Sequence, residues 1–272
     1  MGRRRVILWV VGLLLSSSVA VLAPAARARE VVTARGAILI DNQTGEILWA
    51  HHPDRRLPPA STTKVATAIV ALESGRLNDS LRVTRNAAKA PPSKIHLRPG
   101  WRLRLRDLVY AMLLSSANDA SVVIAEGLDG SVRKFVARMN TQVRQLGATN
   151  THFVNPHGLP AINHYSTARD LAKIFGHALQ NRLFRKIVGT KTATISPTAG
   201  SSRRIALRNH NRLLGRYHIR VVGKTGWTRA AKRCFVGAAT EDGRELIVAV
   251  LGSRDLWGDL KRLLDFGFRG TG

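Results

Sequence analysis

Residues 58–69 read Pro58-Pro59-Ala60-Ser61-Thr62-Thr63-Lys64-Val65-Ala66-Thr67-Ala68-Ile69. The two prolines disfavour helix before them, whereas residues 62–73 hold no helix breaker and carry an apolar stripe at Val65, Ile69 and Leu72, so the spacing predicts a helix starting at or near Ser61. Side chains at i and i+3 share one helix face, with Cβ atoms about 5–6 Å apart, so the Lys64 amine can reach the Ser61 oxygen. An unassisted serine hydroxyl is a poor nucleophile; an amine whose pKa is lowered by burial or by a nearby cation can act as its base. The helix start adds N–H groups that favour developing negative charge. Alone, the tetrapeptide is better read as a capping serine with a solvated lysine. The chain carries such a decoy in Ser131-Val132-Arg133-Lys134, at the head of an amphipathic helix.

Outward from this stretch the pattern is mixed. Before it, Ala37-Ile38-Leu39-Ile40 and Ile47-Leu48-Trp49 flank the turn residues 41–45 as a hairpin. After it, residues 76–104 are polar and proline-containing, with short extended pieces such as Leu81-Arg82-Val83 but no firm assignment, and Asp107 to Leu114 reads as helix. The turn-favouring cluster Ser115-Ser116-Ala117-Asn118-Asp119 separates that helix from another over Ala120 to Glu126. Residues 131–146 form an amphipathic helix with Phe135, Met139, Val143 and Leu146 on one side, and Thr167 opens a further helix running to about Leu179. From Thr190 the pattern turns to strands, at 192–195, 219–222, 234–240 and 246–251, before a closing helix over 256–266. Strands at both ends around a helical middle predict one α+β domain, its antiparallel sheet joining N- and C-terminal segments against a helical middle region.

The first residues have a separate role. Arg3-Arg4-Arg5, the apolar run from Val6 to Ala23 and the small-residue stretch ending at Ala28 form the three-part pattern of a secretory signal, or else an N-terminal membrane anchor. Residues 1–28 are therefore set apart from a single domain over 29–272, which is expected to work outside the cytoplasm, in the periplasm or on the outer face of the cytoplasmic membrane. The one cysteine, Cys234, excludes an internal disulfide and reads as a small buried hydrophobe. The formal charge is +26, and without residues 1–28 there remain 39 basic against 17 acidic residues. Such a chain is drawn to polyanions. Its basic residues are spread rather than clustered in a recognition motif, which argues against nucleic acid and for an anionic membrane or wall surface. The nine histidines lack ligand spacing, so neither metal nor cofactor is expected.

Three polar clusters now stand in order: Ser61-Thr62-Thr63-Lys64 at a helix start, Ser116-Ala117-Asn118 in a turn, and Lys224-Thr225-Gly226 directly after the strand at 219–222. They are S-x-x-K, S-x-N and K-T-G, a set used by penicillin-recognising serine enzymes. With these residues, and with His157-Gly158-Leu159, residues 165–170 and Asn209-His210-Asn211-Arg212-Leu213-Leu214, the chain resembles the D-alanyl-D-alanine carboxypeptidases, the low-molecular-mass penicillin-binding proteins, from roughly Ala34 to Phe268. The resemblance implies a β-lactamase/transpeptidase-like fold and a peptidase without the family's C-terminal β domain. The decoy at Ser131 falls after the Ser-x-Asn turn and breaks the order.

The resemblance also implies roles. Ser61 would attack the D-Ala-D-Ala carbonyl of a peptidoglycan peptide while Lys64 takes its proton, and Ser116 would relay a proton to the departing D-alanine. Asn118 would hold the substrate amide; Lys224 and Thr225 of the Lys-Thr-Gly226 triplet would bind its anionic end; the N–H groups of Ser61 and Trp227 would form the oxyanion hole. β-Lactams would acylate the same serine. Three departures are visible: Trp227 where a polar ring is frequent, His210 where some members carry arginine in the carboxylate clamp, and Lys232 at a place usual for glycine. The alternatives are a DD-endopeptidase cutting cross-links, a β-lactamase, which lacks here the E-x-x-L-N segment for deacylation, and a non-catalytic wall- or polyanion-binding protein.

Overall fold

The computed structural model describes residues 32–269; the signal or anchor expected over residues 1–28 lies outside them. The hairpin forms as β1 (Gly36–Asp41) and β2 (Ile47–His51), and the C-terminal strands are β7 (Arg220–Thr228), β8 (Lys232–Glu241) and β9 (Arg244–Ser253). They make one five-stranded sheet of order β2-β1-β9-β8-β7, all neighbours antiparallel, so the two chain ends meet where β1 pairs with β9 from Gly36↔Leu251 to Asp41↔Leu246. The period-2 geometry of strands divides their side chains between two cores. Ile38, Val236, Ala238, Ile247 and Ala249 face the helical body. Leu39, Phe235, Ala239, Val248 and Val250 face the closing helix α8 (Leu256–Arg269), which buries Leu256, Leu260, Leu263 and Leu264 against them. Burial on both faces is why residues 246–251 are continuously apolar rather than alternating. Each fully buried Leu, Ile or Val contributes roughly 1.5–3 kcal/mol.

The helical body holds α1 (Lys64–Leu72), α3 (Leu105–Leu114), α4 (Asn118–Asp129), α5 (Val132–Gln145), α6 (Ala168–Gln180) and α7 (Arg182–Val188), with short α2 (Arg85–Ala88) earlier in the chain. Ser131 and Thr167 cap α5 and α6 through their hydroxyls, accepting from the N–H groups of Lys134 and Asp170. Two small ribbons complete the fold, β3 (Ser80–Arg82) with β4 (Arg102–Arg104) and β5 (Thr192–Ile195) with β6 (Ile205–Arg208).

Several local expectations need correction. The helix expected at or near Ser61 opens as a 3-10 turn over Ala60–Thr63, and the regular α-helix begins at Lys64. The region 76–104 contains β3, α2 and β4. The Lys-Thr-Gly triplet lies inside β7, not beyond its end. β6 and α7 fall in segments that the sequence pattern left without an element.

Candidate active site

Lys64 is fully buried on the first turn of α1, and its Nζ lies 3.0 Å from Ser61 Oγ, 2.7 Å from Asn118 Oδ1 and 2.6 Å from the His157 carbonyl. The last two are acceptors that carry no proton. Once the amine has lost its proton, these two take its N–H bonds and leave its lone pair for the Ser61 hydroxyl. Burial holds the Lys64 pKa well below the ordinary lysine range, the Lys224 ammonium adds to that, and the Asp119 carboxylate opposes it.

Each part of this cage is itself held. Asn118 starts α4 and donates from Nδ2 to the carbonyls of Pro91 and Pro92, both at 3.0 Å, so its Oδ1 must face Lys64. Asp119, fully buried, accepts from the N–H groups of Ile95 and Leu97 and fixes the same loop. The His157 carbonyl is positioned by its neighbours: Thr67 donates to Pro156 O at 2.6 Å, while Asn140 and Phe153 exchange two 2.8 Å bonds. Glycine is obligatory at 158, where a Cβ would fall 1.8 Å from the Ala60 carbonyl. Behind the nucleophile turn, buried His164 accepts from Val154 N–H at Nδ1, so Nε2 carries the proton and donates to Thr63 at 3.0 Å. Burial lowers its pKa to about 4 and that of His157 to about 3, so both rings are neutral near pH 7.

The second cation comes from β7. Lys224 is buried on the sheet's edge strand, donates to Ser116 Oγ at 3.1 Å and to the Thr225 carbonyl at 2.9 Å, and has its pKa lowered to about 7 by burial. Ser116 adopts φ 58°, a left-handed turn that points its hydroxyl back toward the strand. Gly226 lets β7 approach the nucleophile: a Cβ there would lie 2.8 Å from the Ser61 nitrogen. The backbone after Gly226, with the Trp227 N–H, therefore shares the lip on which the Ser61 N–H sits.

A cleft of about 560 Å³ opens above, lined by Ser61, Ser116, His210, Thr225, Gly226 and Trp227 among others. Lys64, Asn118 and Lys224 lie beneath these residues through the hydrogen bonds just described. All nine residues singled out from the sequence thus converge. The exposed Trp227 ring forms one wall, and Arg212, Arg233 and Arg254 add charge to the rim. His210 stands at the lip; burial, then Lys224, Lys64 and Arg208, lower its pKa. Sequence reasoning missed the His157 carbonyl as an acceptor for Lys64. Its trace was the segment His157-Gly158-Leu159, read as part of the family resemblance without a role for the carbonyl.

Residues 23–255 match the D-alanyl-D-alanine carboxypeptidase family of serine peptidases. The chain belongs to that family. A D-alanyl-D-alanine carboxypeptidase of Mycobacterium tuberculosis is 36% identical over 239 residues, covering 85% of this chain and 81% of its own length. One from Bacillus subtilis is 34% identical over 244 residues, and this chain spans only 62% of that relative's length. Among solved structures, the DD-transpeptidase of a Streptomyces strain superposes with a TM-score of 0.81 at 32% identity, over 87% of this chain and 97% of the other. Family membership places the fold in the penicillin-binding class.

Proposed function

We propose that this family member is an exported serine D-alanyl-D-alanine carboxypeptidase, removing the terminal D-alanine from peptidoglycan stem peptides through an acyl-enzyme on Ser61. Ser61 Oγ attacks the penultimate carbonyl carbon as its proton passes to neutral Lys64 Nζ, and the N–H groups of Ser61 and Trp227 take up the oxyanion. When the tetrahedral intermediate collapses, the C–N bond breaks and the departing amine of D-alanine gains a proton through Ser116. Water then attacks the ester, giving the shortened peptide acid and free Ser61. Thr225, Lys224 and His210 hold the terminal carboxylate, and Asn118 Oδ1 retains a second lone pair for a substrate amide. β-Lactams acylate the same oxygen. Residues 1–28 act as the export signal or anchor, and the net positive charge favours the anionic wall side.

The observation that carries this reading is the Lys64 cage, in which a buried amine has two fixed acceptors and the Ser61 hydroxyl as third neighbour. A fluorescent penicillin should label the wild type and not Ser61→Ala, and only the wild type should release D-alanine from an acyl-D-Ala-D-Ala peptide. Labelling that persists in Ser61→Ala, or a wild type that does neither, removes the assignment. Rapid turnover of the penicillin in place of a lasting adduct would instead indicate a β-lactamase.

A further inference from the structure

The chain from Pro91 to Leu97 reaches the cleft at Ser93, and two consecutive residues of α4 hold it there. Asn118 takes the near end: its Nδ2 donates to the carbonyls of Pro91 and Pro92, and its N–H to that of Ser93 at 2.7 Å. Asp119 takes the far end. Its Oδ2 accepts from the N–H groups of Ile95 at 3.2 Å and Leu97 at 3.1 Å, and its Oδ1 from that of Ala120 at 3.0 Å. Lys94 in the same loop turns instead to the Ala88 carbonyl. Asp119 is fully buried, and its carboxylate forms no ion pair with a described residue.

Holding a loop does not require a charge. A hydroxyl or amide oxygen would accept from the same N–H groups, whereas a buried carboxylate carries a large desolvation cost. The charge has a use nearby. The ionisable groups whose charges bear on Lys64 or respond to it are Lys224 on β7, His157 and His164 in the loop of residues 153–166, His210 at the lip, and Asp119. Asp119 alone among them is acidic. When the Ser61 proton reaches Lys64 Nζ, the new ammonium therefore faces a second buried amine, with one carboxylate in its favour.

We propose that Asp119 is a positioning residue of the acyl transfer: its carboxylate clasps the loop that orients the Asn118 amide, and it is the fixed counter-charge to the ammonium that Lys64 becomes on taking the Ser61 proton. Both parts act through a neighbour, since Asp119 touches neither Ser61 nor the cleft. Were Ile95 and Leu97 released, the Pro91 and Pro92 carbonyls could drift, and the amide of Asn118 would no longer be forced to turn its oxygen to Lys64.

The role rests on the reaction proposed above, so acylation of the wild type by a saturating fluorescent penicillin is established first, and the variants then read Asp119 alone. Rate constants for acylation are measured from pH 5 to 9 in Asp119→Asn and Asp119→Glu. Without the carboxylate Lys64 holds a proton less well. In Asp119→Asn the acid limb should therefore move down by about half a pH unit or more, and the plateau should fall about tenfold as the base weakens. Asp119→Glu keeps the charge, so its plateau should fall while its limb stays within about 0.3 pH units of wild type. In the double variant Lys224→Gln/Asp119→Asn the limb should lie between those of the two single variants, because the two lost charges have opposite signs. A slower Asp119→Asn whose limb is unmoved, or moved up, would reduce the residue to loop packing and overturn the proposal. Amide hydrogen exchange in the wild type reads the clasp with no substitution, and so decides even if Asp119→Asn does not fold. The N–H groups of Ile95 and Leu97 should exchange about tenfold more slowly, or slower still, than those of His96 and Arg98, exposed residues of the same loop. Equal exchange at all four would overturn the clasp, and with it the proposal.

Discussion

Lys64 and Lys224 are two buried amines facing one serine each, and their mutual repulsion assigns their work. Lys224 is the second-largest cause of the lowered Lys64 pKa, after burial itself. Replacing Lys224 with glutamine removes that cation, so the Lys64 pKa rises and its neutral fraction at any given pH falls. In Lys224→Gln the acid limb of the rate constant for acylation by a saturating β-lactam should therefore move to higher pH. Stopped-flow acylation from pH 5 to 9 checks this, and an unmoved limb would mean that Lys64 is not the titrating base. The pair of motifs behind this chemistry was legible because hydroxyl and amine are encoded as residue types at fixed spacing. The third member of the cage was not. A backbone carbonyl can be supplied by any residue, so His157 gave no signal through its identity.

Among the elements, the hairpin, α5 and β9 followed directly from periodicity, because each presents a continuous apolar face to a core. β6 is too short for alternation to be counted, β3 showed only as the extended piece Leu81-Arg82-Val83, and α7 is separated from α6 by Asn181 alone, whose Oδ1 accepts from the N–H groups of Leu183 and Phe184 and restarts the helix. β7 was cut short for a different reason: Lys224 is 1% exposed, and a buried lysine in a strand breaks the pattern that marks strands. The first residue of β8, just after the turn from β7, bears on a family departure. Lys232 adopts φ 58°, which glycine would take freely and which costs an L-residue roughly 1–2 kcal/mol. Part of that relief is offset by the greater freedom of an unfolded glycine. Lys232→Gly should stabilise the protein by about 0.5–1 kcal/mol, read as a higher urea midpoint at unchanged slope. A variant less stable than wild type would show that the lysine side chain makes a compensating contact.

At the scale of the whole molecule, a sheet fed from both chain ends and a helical body are joined across the active site by the loop of residues 153–166, and that joint is sensitive to acid. His164, 5% exposed, bonds Thr63 behind the nucleophile and Val154 within the loop, so protonating it breaks the Val154 bond and places a cation near Lys64. Its native pKa of about 4 lies below the value of 6.5 expected when unfolded. Above pH 6.5 neither state binds the proton and stability is independent of this group. Between 6.5 and 4 only the unfolded chain is protonated, so stability falls as pH falls; below 4 both states are protonated and the loss stops. Over that window the cost is about 3 kcal/mol. His164→Gln removes the titration, and Gln can still donate to Thr63. The variant should be less stable than wild type at pH 7, but its denaturant midpoint should fall less steeply between pH 6.5 and 4, so that the two curves converge. Parallel curves would mean that acid opens the molecule elsewhere and that the joint between sheet and helices is not where protons are first taken up.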